Sequence, residues 1–130
     1  MAGPLPIVAP YAAGLGLLFI VLSVRVIIFR RRHHIGFGSR GHPELERRAR
    51  VHANFAEYAP FALVLLAMAE LQGAPTKWIH LGCLSLMIGR ISHAIGVSSE
   101  RTDGFGRVVG MTGSQTAVLI ACGLLLSSFV

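Results

Sequence analysis

Apolar residues run in four long blocks, separated by three polar connections. A bilayer core takes about 20 apolar residues in helix. Residues 7–29, 46–72, 76–98 and 106–129 are each long enough to cross it. In the second block the apolar run proper starts near Phe55, and a polar extension reaches back to about Pro43. The connections differ in kind. "RRRHHIGFGSRGHPE" is long, basic and glycine-containing, so it reads as a loop. "QGAPTK" is a tight turn, in which Gly73 stops one helix and Pro75 starts the next. "SSERTDGFGR" is a polar loop with two glycines. The pattern predicts an all-α fold, an integral membrane four-helix bundle forming a single domain over residues 1–130.

One stretch breaks the apolar pattern: "ERRARVHANFAEYAPF", residues 46–61. Arg47, Arg50, Asn54 and Glu57 are spaced three, four and three apart, which puts them on one helix face. Arg47 and Arg48 suit a solvated extension above the membrane. Glu57 does not, because it lies within the apolar run; an ionisable residue there is costly unless paired and marks function by default. Helices two and three are antiparallel about the Gly73–Ala74 turn. Equal distances from that turn set Glu57 level with Arg90, Asn54 with His93, and Glu70 with Lys77 at the opposite surface. Arg25 and Arg30 end the first helix on the stripe's side, and Arg107 begins the fourth there. The expectation is a polar, net-positive pocket with one carboxylate inside. A Glu57–Arg90 ion pair acting only as interhelical glue, worth about a kcal/mol, would leave Arg50, Asn54, Tyr58, His93 and Arg107 at the same level unexplained.

Composition supports the membrane reading: 53% of the 130 residues are hydrophobic and 14% charged, with mean hydropathy +0.63. The net charge of +6 does not point to nucleic acid. Eight of the twelve Lys and Arg fall between Arg25 and Arg50, beside membrane spans. That placement is a topology signal: the first and third connections face the cytoplasm and both termini face the other side. A nucleic-acid footprint would add reading residues on a soluble face. Cys83 and Cys122 lie in apolar stretches and read as small buried hydrophobes, with neither a disulfide nor a metal implied. His33, His34, His42 and His52 lack a regular metal-ligand spacing. The N-terminal apolar run has no basic n-region and is too long for a signal h-region, so it reads as a retained span.

Several arginines plus one glutamate suit a small molecule with more than one carboxylate and an ammonium group. Arginine offers carboxylates a bidentate fork, Glu57 can take the ammonium, and Asn54 and Tyr58 can each donate and accept. Glutathione has those groups and a thiol. The stretch also resembles the second-helix signature of the MAPEG family, membrane-associated proteins in eicosanoid and glutathione metabolism. That pattern is roughly E-R-x-x-R-x-(H/Q)-x-N-x-x-E-Y-x-P. Glu46, Arg47, Arg50, His52, Asn54, Glu57, Tyr58 and Pro60 match it, and "GRISH" at 89–93 resembles the family's third-helix segment. The compact length and short loops look most like the small bacterial branch.

The resemblance implies a homotrimer of four-helix bundles in a lipid bilayer (the cell inner membrane, if bacterial). Glutathione would sit between subunits, open to the cytoplasm, as co-substrate for a hydrophobic small-molecule substrate. Arg50, Asn54, Glu57 and Tyr58 match glutathione-holding positions, and His52 a Gln or His bordering them. Arg30 matches a basic residue near the peptide's carboxylates, His93 a Tyr or His on helix three, and Arg90 lies in the same segment. Arg107 matches the catalytic arginine that stabilises the glutathione thiolate, with Arg101 as competitor. Two departures concern substrate. Val97 stands where the leukotriene- and prostaglandin-forming enzymes have a tyrosine, and Met111 and Thr112 where an aromatic follows the arginine. The implied function is a glutathione transferase or peroxidase acting on lipophilic electrophiles; the alternative is a non-catalytic glutathione- or lipid-binding scaffold of the same fold. A small-anion transporter is a third reading, weakened because no span is broken by paired Gly and Pro.

Overall fold

The structure is a computed structural model that describes residues 3–98 and 104–127. Four helices follow in order: α1 (Val8–Arg32), α2 (Pro43–Leu71), α3 (Thr76–Ser98) and α4 (Phe105–Ser127). All four are long and apolar enough to cross a membrane, and the chain is an integral membrane four-helix bundle. Most of their apolar surface faces outward, as lipid-facing surface must: Leu17, Ile20, Val64, Ile88 and Leu119 are exposed.

Helix ends follow local chemistry. α2 begins with Pro43 at its first turn, where a missing N–H costs nothing, and with Glu44 and Glu46 beside the positive end of the helix dipole. It spans 29 residues, about 44 Å, so its polar head projects beyond the apolar core. Pro60 sits inside it. α2 ends at Gly73, whose φ of +77° suits a residue without Cβ. α1 runs three residues past its expected end, through Arg30, Arg31 and Arg32, whose charges complement the C-terminal dipole.

α2 and α3 occupy the middle. α1 and α4 each pack against both, and among the described residues their backbones do not approach one another. The closest pair is α3 with α4. A Cβ at Gly96 would lie 2.6 Å from Gly106 Cα, and one at Gly89 3.0 Å from the Gly110 carbonyl oxygen. The two backbones therefore meet directly, the small-residue packing that holds helices together in lipid. Ser85 Oγ adds a hydrogen bond to the Gly113 carbonyl at 2.9 Å.

The other end of the bundle is fastened by Glu70, the residue set level with Lys77. It accepts the backbone N–H groups of Ile7 (2.7 Å) and Val8 (2.8 Å). These are unpaired donors at the positive end of α1, so a carboxylate at the end of α2 caps the neighbouring helix.

Candidate functional site

A cavity of about 710 Å³ opens between the polar head of α2, the end of α3 and the start of α4. α2 contributes Arg47, Arg50, Asn54 and Glu57 to it, which is the spacing of one helix face. α3 contributes His93 and Val97, and α4 contributes Arg107, Met111 and Thr112. Among the described residues, Arg50, Glu57 and Arg107 have no hydrogen-bond or ion-pair partner. Their charges face the cavity and the solvent. Arg107 lies in the first turn of α4, where unpaired amides and the dipole also favour an anion.

Behind the cavity stands Arg90, 1% exposed. Its Nη1 donates to Asn54 Oδ1 at 2.6 Å and its Nη2 to the Gly110 carbonyl at 2.8 Å. The guanidinium also lies 5.7 Å from the centre of the Tyr58 ring. Arg90 thus ties α3 to α2 and α4 together. Asn54 Nδ2 continues the network to Met111 Sδ at 3.6 Å. His93, 6% exposed, packs against the backbone of Gly110.

The expected Glu57–Arg90 pair does not form. Arg90 meets Asn54, three residues earlier on α2, and Glu57 is left exposed on the cavity side. Distance from the turn fixes a residue's level but not the direction it faces. Glycine at 110 leaves its carbonyl open to the guanidinium fork, and Asn54 is the α2 residue that faces α4.

The structure therefore gathers Arg50, Asn54, Glu57, His93 and Arg107 around one cavity and places Arg90 and Tyr58 behind its wall. It does not bring Arg30 or His52 there. Arg30 donates to the Gly38 carbonyl in its own loop at 2.9 Å. His52 stacks on Phe19 of α1, ring centres 4.8 Å apart, with its Nε2 buried and unpartnered by protein atoms. Arg101 lies outside the described residues. Sequence reasoning missed the Gly110 carbonyl, a fixed acceptor for Arg90; glycines at 106, 110 and 113 facing Gly89 and Gly96 were the available signal.

Fold and site together define a membrane helix bundle with a charged cavity at one end. The chain matches the MAPEG family over residues 8–127, and it belongs to that family. It is similar to "Inner membrane protein YecN" of Escherichia coli strain K12, 35% identical over 88 residues that cover 68% of this chain and 67% of that protein. The protein of the same name from Escherichia coli O6:H1 strain CFT073 is similar to the same extent.

Proposed function

We propose that the cavity binds glutathione and that the chain is a glutathione transferase or peroxidase for lipophilic electrophiles. The observation that carries this reading is the set of unpartnered charges, Arg50, Glu57 and Arg107, around one cavity. Two cations and one anion complement two of the anionic groups of a glutathione thiolate and its ammonium. Arg50 takes a carboxylate through its fork, Glu57 takes the ammonium, and Arg107 is left for the sulfur. A thiol near neutral pH is mostly protonated, while the thiolate is the nucleophile. A guanidinium beside the sulfur lowers the thiol pKa without releasing its own proton. In conjugation the thiolate attacks an electrophilic carbon, an S–C bond forms and the leaving group departs with its electron pair. In peroxide reduction the thiolate attacks a peroxide oxygen and releases an alcohol; a second glutathione resolves the sulfenic acid to a disulfide and water.

The apolar residues Val97, Val108 and Met111 line the same cavity, so an electrophile arriving from the lipid phase meets a compatible wall. The relatives' names support an inner-membrane location, and the basic first and third connections support a cytoplasmic opening. Assembly as a homotrimer fits a cavity that is open on one side.

A binding scaffold is the second reading. It is favoured by Asn54, whose side chain is already engaged by Arg90 and Met111. Glutathione titration of the purified protein, read by the ultraviolet band of the thiolate, separates the two. Catalysis requires the band and turnover of generic electrophiles; the scaffold binds with neither.

A further inference from the structure

A second groove runs between α1 and α3, on a different pair of helices from the cavity. Its volume is about 390 Å³, within the range of small-molecule sites. Val21 and Leu22 of α1 and Ile91, Ala94 and Ile95 of α3 make it aliphatic, and Arg25 is the one charged residue lining it. Arg25 also fixes the depth of that end. Its backbone carbonyl accepts a hydrogen bond from Arg48 Nη1 at 3.2 Å, and Arg48 belongs to the polar head of α2 and pairs with Glu44. The Arg25 end therefore lies at the membrane–water boundary, while Leu22 and Val21 continue toward the hydrocarbon. Beyond Arg25, α1 ends in Arg30, Arg31 and Arg32, and the following loop presents Phe37, 92% exposed.

We propose that this groove is a site for an anionic phospholipid of the surrounding bilayer. One acyl chain lies between α1 and α3, and the phosphate sits toward Arg25 and the arginines that end α1. Charge complementarity selects the occupant. A guanidinium recognises phosphate through paired donors, and clustered arginines beside a span attract anionic headgroups. An exposed aromatic ring in the loop that follows them suits the interfacial layer. The groove takes no part in the glutathione chemistry and does not depend on it.

The test uses the full-length protein in nanodiscs of phosphatidylcholine, with a phosphatidylglycerol probe carrying a photoreactive acyl chain, followed by peptide mapping. Label should concentrate on residues 18–25 and 91–95, about fivefold above a phosphatidylcholine probe of the same chain. Arg25→Gln, which keeps the backbone carbonyl held by Arg48, should reduce phosphatidylglycerol labelling to the phosphatidylcholine level. Lys77→Gln, at the other end of the bundle, should change nothing. Ala94→Phe fills the groove and should remove label from both probes. If that variant does not fold, Ile95→Trp at the exposed rim serves the same purpose. Equal labelling by the two probes overturns the proposal, as does labelling that survives Arg25→Gln. Stronger labelling by a photoreactive fatty acid overturns the phospholipid assignment. Disulfide formation between copies of an Ile91→Cys variant, with no lipid label at 91–95, makes the groove a seat for a second copy and overturns it too.

Discussion

Replacing Arg90 by Met asks how much the buried guanidinium contributes to the bundle. Its two short hydrogen bonds, to Asn54 Oδ1 and the Gly110 carbonyl, come from a charged donor, a class worth about 1.5–3 kcal/mol each, and Nη1 adds a longer one to the Asn54 carbonyl at 3.4 Å. Set against them is the cost of burying the charge, several kcal/mol, in a site where Nε has no protein partner. These terms roughly cancel, as they often do for buried charges. The balance is decided by what the substitution leaves behind. The Gly110 carbonyl keeps a hydrogen bond from Ser114 Oγ at 3.1 Å. Half-buried Asn54 Oδ1 loses its donor, and an orphaned acceptor costs about 1–3 kcal/mol. Loss of the Tyr58 contact adds about 0.5–2 kcal/mol. Arg90→Met should therefore destabilise the protein by about 2–4 kcal/mol. Adding Asn54→Leu removes the orphan and should recover about half of that. Reversible unfolding in mixed detergent–SDS micelles measures both variants. The reasoning is refuted if Arg90→Met stays within about 0.5 kcal/mol of wild type, or if the two substitutions are simply additive.

Two further substitutions and a pair of reporter fusions probe other parts of the fold. Gly96→Ala puts a methyl 2.6 Å from Gly106 Cα; it should separate α3 from α4, cost about 1–3 kcal/mol in thermal unfolding, and weaken the thiolate band by moving Arg107. Glu70→Gln keeps one acceptor for the α1 amides but loses the charge, and should cost about 1 kcal/mol, seen as faster hydrogen exchange at Ile7 and Val8. A reporter fused after Val130 should lie outside the cytoplasm and one inserted near Gly38 inside; the reverse result would withdraw cytoplasmic access to the cavity.

The helices were legible because each is an apolar block of membrane length, bounded by residues with a definite preference: Pro43, Gly73, Pro75 and the arginines ending α1. The polar stripe on α2 was legible for the same kind of reason, since its spacing fixes one face whatever that face meets. Facing between helices was not. Glu57 and Arg90 share a level, yet the open carbonyl at Gly110 turns the guanidinium to α4 and Asn54. His52 lies within the family pattern but points to Phe19, because it stands two residues from both Arg50 and Asn54, on the opposite side of α2 from the stripe. Glu70 was placed at the correct end of the bundle, but its partners were not legible; backbone amides at the start of α1 leave no mark in the sequence.

Glutathione titration of wild type beside Arg107→Ala, read by the thiolate band and by conjugation rate, tests the proposed chemistry most directly. Wild type should develop the band on binding. Arg107→Ala should stay folded and bind glutathione but show neither the band nor turnover, and Arg107→Lys should restore little, since a point charge does not replace a fork. Arg101→Ala should behave as wild type. A silent Arg107→Ala with an inactive Arg101→Ala would move the catalytic role to Arg101, and a wild type with neither thiolate nor turnover would contradict the enzyme reading outright.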